Sequence, residues 1–290
     1  MTRCPWCQTE KNHRYLQVKD RFLSQEVFDV LACDQCGLLF TDPRPDAEHI
    51  GAYYESDEYL SHQENKSGLV PRLYERVKRI NLKNKRRMAL QGLQKGRLLD
   101  IGCGVGDFLR VVKESGWEVA GIEPSEHAKS IALKRLGFLP LDPSEANSFT
   151  DASFDVITMW HVLEHVDDLH AQLATLHRLL KPGGRLVIAV PNYQSYDAQY
   201  YQQAWAAWDV PRHLNHFNAA FLQAAFEDFG FEIVEHQALK WDSYYISFLS
   251  ERYLSHGLAL LRGAFRGAVS NLKAHRNGAY SSRVYVFKKK

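Results

Sequence analysis

The sequence predicts an α/β fold, with helices on both faces of a doubly wound sheet, preceded by a small cysteine-built module. Three observations carry this. Arg97-Leu-Leu-Asp-Ile101 is a short apolar strand that runs directly into Gly102-Cys-Gly-Val-Gly106 and then a helical pattern from Phe108 to Ser115. A second apolar run, Trp117 to Ile122, ends on the carboxylate Glu123. Ahead of both stand two close cysteine pairs, Cys4-Pro-Trp-Cys7 and Cys33-Asp-Gln-Cys36.

The cysteine pairs come first in the chain. Each CxxC turn offers two sulfurs to one ion, and two such turns complete a tetrahedral Cys4 zinc site that resembles a zinc ribbon. With no coordination position left open, the zinc is expected to be structural. The gap between the pairs exceeds the roughly 15 to 20 residues usual for the pattern, and two predicted strands, YLQVKDRF and EVFDVLAC, fill it. A redox pair would need only one CxxC, and few basic residues lie near the knuckles to favour nucleic acid. The expected organisation is a ribbon over 1–45, a helical linker or lid over 46–95 with a helix from Val70 to Leu93, and an α/β domain over 96–290.

Composition fits an ordinary globular protein. The 290 residues are 45% hydrophobic, and 36 basic against 34 acidic side chains leave a net charge of +2. Nothing in that balance calls for nucleic acid or anionic lipid. The basic run Lys78 to Arg87 and the Lys288 to Lys290 tail read as a solvated helix face and a frayed end. No apolar run approaches the roughly 20 residues that span a bilayer, and the first residues do not form a signal segment. A cytoplasmic location is expected, in keeping with cysteines placed for metal rather than disulfides.

A strand, a glycine turn and a helix make a nucleotide-type cradle, because glycines admit a close ligand and the helix N-terminus offers free N–H groups. The dinucleotide fingerprint GxGxxG is absent, since Asp107 stands where its third glycine belongs. What remains is Asp100-x-Gly102-x-Gly104-x-Gly106, with Glu123 at the next strand tip, able to accept both hydroxyls of a ribose.

Four motifs in order extend this pattern: LLDIGCGVGDF, then GIEPS (Gly121 to Ser125), then Phe154-Asp-Val-Ile-Thr-Met-Trp-His-Val-Leu-Glu-His165, then Leu180-Lys-Pro-Gly-Gly-Arg-Leu-Val-Ile188. Over roughly residues 97 to 191 the chain resembles the class I S-adenosylmethionine (SAM)-dependent methyltransferases. The resemblance implies a Rossmann-like seven-stranded sheet of order 3-2-1-4-5-7-6 and a SAM site. Gly102, Gly104 and Gly106 would pass beneath the methionine portion, Asp100 would orient the loop or receive the amino group, and Glu123 would hold the ribose. Cys103 and Pro124 belong to the same two motifs and count with the cofactor-binding residues. Asp142, after a third strand at Phe138 to Leu141, falls where the family contacts adenine, with Ser144 or Glu145 as alternatives. Trp160 and His161 follow the fourth strand and would line cofactor and acceptor, although His161 and His165 equally suit packing or capping at a helix start.

Beyond the fifth strand, Phe221 to Phe229 reads as a helix, Phe231 to His236 as strand six and Ser282 to Phe287 as strand seven. Between these two strands a helical insertion of about 239–280 is expected to lie over the carboxyl ends of the strands and cover the acceptor. The ribbon, WAAWDVPRHLNHF, DSYYISFLSERY and GAVSN together resemble a bacterial group of zinc-ribbon-bearing methyltransferases.

Trp208-Asp-Val-Pro-Arg-His-Leu-Asn-His-Phe217 reads as irregular. A metal at His213 and His216 lacks a third ligand in sequence other than Asp209, beyond Pro211. Methyl transfer needs a positioned acceptor and, for a hydroxyl or acidic carbon, a base. His213 is the candidate base, His216 the second, and Arg212 an anchor for an anionic acceptor. The alternative pairs Arg212 with Asp209 and leaves both histidines bonded to backbone. Tyr53, Tyr54, Trp205, Trp208, Tyr244 and Tyr245 are candidates for an apolar substrate pocket, with core packing the alternative, and Tyr53 to His62 for a lid. The expected function is methylation of a small molecule, at oxygen before carbon. Methylation of RNA or protein with the ribbon as docking element, and a catalytically silent SAM-binding or zinc-scaffold module, are the competing readings.

Overall fold

The computed structural model describes residues 2–46, 48–54, 69–254 and 257–290, with the side chains of 69–74 excepted. Its strands form two sheets. The larger is built on the predicted apolar runs, in the spatial order β5 (Glu118–Ile122), β4 (Arg97–Ile101), β6 (Phe154–Trp160), β7 (Leu180–Pro191), β10 (Ser282–Lys289), β9 (Phe231–Ala238). The pairs β4·β5, β4·β6 and β6·β7 are parallel, whereas β10 runs antiparallel to both β7 and β9.

This order matches the expected sheet except at one edge. Phe138 to Leu141 does not form a strand, and the third position is reduced to a single parallel bridge between Ile122 and Leu141. The chain leaves it no length: Gly137 ends the preceding helix at φ +78°, Pro140 has no N–H to donate, and Asp142 already caps the turn Pro143–Ser148.

The sheet is covered on both faces because its strands alternate buried side chains in two directions. Leu99, Ile157, Ile188 and Phe287 pack with α4 (Leu169–Leu179) and α6 (Ala219–Asp228). Leu98, Val156, Val187 and Val286 face the other way, onto Phe108, Leu109 and Val112 of α2 (Asp107–Glu114), beside α1 (Leu69–Leu90). Helix α3 (Glu126–Leu136) contributes Ala132 and Leu136 to this second core.

The smaller sheet is the meander β1 (Asn12–Lys19), β2 (Val27–Cys33), β3 (Leu39–Asp42), joined by β8 (Asn215–His216). The segment expected to be irregular therefore supplies a strand to the ribbon, with Leu39 opposite His216 and Phe40 opposite Asn215. A third core closes this junction. Val18, Phe28, Val30 and Leu39 of the ribbon pack against Trp205, Trp208 and Val210, after α5 (Tyr196–Tyr201), and against Ile246 of α7 (Asp242–Tyr253). Helix α7 and α8 (Ala259–Asn277) form the helical insertion between β9 and β10. They approach closely because a Cβ on Gly263 or Gly267 would lie 2.5 or 2.8 Å from the Cα of Phe248 or Tyr244. No helix among the described residues is long and apolar enough to cross a membrane.

Candidate active site

At the carboxyl ends of β4 and β5 the chain folds into the cradle its glycines require. Gly102 sits at φ +69°, and a Cβ there would lie 2.4 Å from Cγ2 of Val162. Gly104 is also left-handed, at φ +54°, but a Cβ there would meet nothing within 4 Å. One glycine is thus demanded by packing, the other borders open space. Gly106 is the N-cap of α2. Glu123 takes the Gly104 N–H at 2.8 Å on one oxygen and the Ser125 N–H at 2.9 Å on the other. Asp100 lies buried beneath the loop and accepts the Thr158 hydroxyl at 2.6 Å, and burial pushes its pKa up to about 7.

The remaining candidates around the cradle divide by surroundings. The Cys103 thiol turns into the core against Gly121, where burial raises its pKa. Pro124 separates Glu123 from the Ser125 cap of α3. Asp142 caps its own turn, accepting the Ser144 N–H and hydroxyl at 3.0 and 2.7 Å while Glu145 accepts the Asp142 N–H. Trp160 packs edge-on to Phe108, with the Lys85 ammonium 4.9 Å above its ring and, among the described residues, no partner for its buried indole N–H. His161 bridges two carboxylates, Asp242 at 2.9 Å and Glu164 at 3.3 Å. Burial disfavours its charge, but these partners outweigh burial and raise its pKa to about 9.

In the stretch after α5, Arg212 is 3% exposed and uses four of its five donors. It reaches Asp209 at 2.7 and 3.0 Å, Asp20 of the ribbon at 2.9 Å and the Tyr53 carbonyl at 3.0 Å, and stacks over Phe22. The pairing with Asp209 is present, and Asp20 extends it. His216 is buried, its Nε2 3.1 Å from the Thr41 hydroxyl, and burial drives its pKa far down. His213 donates from Nδ1 to the Ala207 carbonyl at 2.9 Å, and its Nε2 lies 3.9 Å from Asp209. His165, its ring 4.7 Å from that of His213, sets Nδ1 2.9 Å from both the Arg212 carbonyl and the Tyr54 hydroxyl. Glu164 completes a group with these two histidines whose ligand atoms lie within 4.8 Å of one another. Sequence reasoning missed Glu164, although adjacent Glu164 and His165 at the end of the fourth-strand motif were a signal.

A small cavity of about 10 Å³ is lined by Tyr193, Trp205, His213, Asn215, His216 and Phe217. Of the expected pocket aromatics only Trp205 borders it. Trp205 and Trp208 belong mainly to the ribbon junction, their indole N–H groups held by Asp197 and the Gln202 carbonyl at 2.8 Å. Tyr53 donates its hydroxyl to Glu26 at 2.6 Å, Tyr244 faces Gly267, and Tyr245 is exposed. Most of the expected lid, residues 55–62, lies outside the described residues.

In the ribbon, Cys4 and Cys36 bring their sulfurs to 3.6 Å, and Cys7 and Cys33 to 3.4 Å, with all four within 4.8 Å of one another. Tetrahedral zinc with Zn–S of about 2.3 Å sets sulfurs about 3.8 Å apart, so the donor set fits that ion.

A parallel-stranded core with β10 inserted antiparallel, a glycine cradle after β4 and a carboxylate at the tip of β5 define a class I SAM-dependent methyltransferase. The chain belongs to that class by descent as well: residues 73–236 match the methyltransferase-domain family. Among curated proteins it is similar to the ubiquinone biosynthesis O-methyltransferase of Aeromonas salmonicida, 36% identical over 108 residues, 35% of this chain and 45% of the relative. It also resembles the malonyl-[acyl-carrier protein] O-methyltransferase of Serratia marcescens, 32% identical over 123 residues, 42% of this chain and 48% of the relative. The chain thus spans about half the length of the curated relatives it matches. Among solved structures, a SAM-dependent methyltransferase from Thermotoga maritima superposes with a TM-score of 0.52 at 23% identity, over 83% of this chain and all of that one (100%). The geranyl diphosphate C-methyltransferase of Streptomyces coelicolor reaches 0.55 at 14% identity, over 81% of this chain and 88% of its own. These last two likenesses concern the fold.

Proposed function

We propose that this enzyme transfers the SAM methyl group to a hydroxyl of a small-molecule acceptor, with a structural zinc in the Cys4, Cys7, Cys33, Cys36 ribbon. The observation that carries the reading is His213. A carbonyl only accepts, so the Nδ1 facing Ala207 is a donor and the neutral ring carries its lone pair on Nε2, in a residue that lines a small cavity beyond the carboxyl end of β7. An imidazole in that state is the group a hydroxyl acceptor needs when its proton must leave as the O–CH3 bond forms. The curated relatives reported above carry O-methyltransferase names, which is compatible with oxygen as the acceptor atom. Asp100, Gly102, Gly104 and Glu123 are the residues assigned to SAM. The ribbon's part is to support the wall of this cavity, since β3 is paired to β8, which carries His216.

The test uses SAM with a labelled methyl group and a host extract separated into small-molecule, glycan, protein and nucleic-acid fractions. Label in the small-molecule fraction, on oxygen by NMR and absent with His213→Ala, is the expected result. Label on a carbon, or in the protein or nucleic-acid fraction, would overturn the reading.

A further inference from the structure

Glu164 is 1% exposed, and only one of its carboxylate oxygens is satisfied. Oε1 meets His161 at 3.3 Å, whereas the buried Oε2 has no hydrogen-bond partner among the described residues. Unpartnered buried carboxylate oxygens are rare in native proteins and call for an explanation.

The neighbours of that carboxylate supply one. His165 presents Nδ1 to the Arg212 carbonyl and His213 presents Nδ1 to the Ala207 carbonyl, each at 2.9 Å. Both Nδ1 atoms must therefore be donors, so in the neutral rings a metal binds the lone pair is on Nε2. Holding the far ring N–H on a backbone carbonyl is the device that fixes and orients a metal-ligating histidine. The two histidines and Glu164 offer ligand atoms within 4.8 Å of one another.

We propose that Glu164, His165 and His213 form a second metal site, separate from the cysteine ribbon, for a divalent first-row transition ion such as Zn2+, Fe2+ or Mn2+. Two imidazoles and one carboxylate suit these ions, whereas Mg2+ and Ca2+ favour oxygen sets. Three protein ligands leave a coordination position open, as catalytic sites do. An acceptor hydroxyl bound there loses its proton to solvent; its oxygen then forms the bond to methyl as the sulfonium S–CH3 bond breaks and S-adenosylhomocysteine leaves. With the ion in place His213 is a ligand, and coordination supplies the deprotonation that the imidazole performs in the metal-free protein. Only this catalytic role rests on the methyltransferase reading; the binding does not.

The test is a Co2+ titration of the metal-free, reduced full-length protein, with no SAM or acceptor present. The wild type is expected to take up two equivalents, only one of which raises the thiolate-to-cobalt charge-transfer band of the ribbon. Glu164→Gln, close in shape, and His213→Gln are each expected to take up one equivalent with that band intact, which also reports that the ribbon has folded. Saturation of the wild type at one equivalent accompanied by the thiolate band would overturn the proposal. So would a second equivalent retained by both variants. Because the readout needs neither cofactor nor turnover, its failure leaves the proposed methyl transfer standing.

Discussion

Asp20→Asn tests whether Arg212 is a staple between the ribbon and the rest of the enzyme. The Asp20 carboxylate receives the N–H groups of Phe22, Leu23 and Ser24, the Ser24 hydroxyl and the Arg212 guanidinium, at 2.9 to 3.3 Å. Every neighbour of both oxygens is a donor, so an asparagine amide placed either way points its own N–H groups at donors. Removing one side of a buried ion pair costs about 3–5 kcal/mol. Arg212 retains Asp209 at 2.7 Å, which brings the expected loss to about 2–4 kcal/mol. At roughly 2–4 °C per kcal/mol for a chain of this size, the melting temperature should fall by about 5–15 °C. Differential scanning fluorimetry reads that shift. Calorimetry well below the transition should find SAM affinity within about twofold of wild type, since Asp20 does not touch the cradle. Burial alone would raise the Asp20 pKa, but the Arg212 hydrogen bond and the Ser24 N–H hold it below the ordinary value. A depressed carboxylate contributes stability above about pH 4 that is lost as pH falls through its folded pKa, so the variant should also show a flatter acid limb. An unchanged melting temperature combined with a raised acceptor KM in Arg212→Lys would refute the staple and restore Arg212 as an acceptor anchor.

The glycine loop gives a paired prediction. Gly102→Ala should lower both melting temperature and SAM affinity because its Cβ meets Val162, whereas Gly104→Ala should cost about 1 kcal/mol of backbone strain yet reduce SAM affinity at least about tenfold, as calorimetry would show. Asp100, pushed up to about 7 by burial, contributes stability below about pH 4 that is lost as pH rises through 7. If it receives the SAM amino group it must ionise on binding, so affinity should rise between pH 6 and pH 8 with proton release visible as buffer-dependent heat, and Asp100→Asn should abolish both effects. Cys33→Ser should remove ribbon zinc, measured by elemental analysis, and lower the melting temperature of the whole enzyme rather than of the ribbon alone.

The cradle was legible because its causes are local. A strand, three glycines and a carboxylate lie within one short run, and each position is dictated by backbone conformation or by the ribose it would meet. The same locality explains why β9, β10 and the helical insertion were found from periodicity. Two residues carry no periodicity, so β8 was invisible, and its pairing is fixed by Thr41 and His216, 175 positions apart. Asp20 and Arg212 are 192 positions apart, and nothing near either announces the other. The third strand failed for a reason that was readable, Pro140 between Gly137 and the Asp142 cap. The two readings of the aromatics stayed open because Trp205 and Trp208 look the same in sequence whether they line a cavity or close a junction.

The β3·β8 pairing limits how this protein can be cut and how its lineage can trade parts. A chain begun after the ribbon would leave Asn215–His216 as a bare strand edge and uncover Trp205 and Trp208, an adhesive surface. Exchange of the ribbon with another enzyme would have to carry the 205–217 segment along, so the two stretches are expected to have diversified together as a single inherited unit.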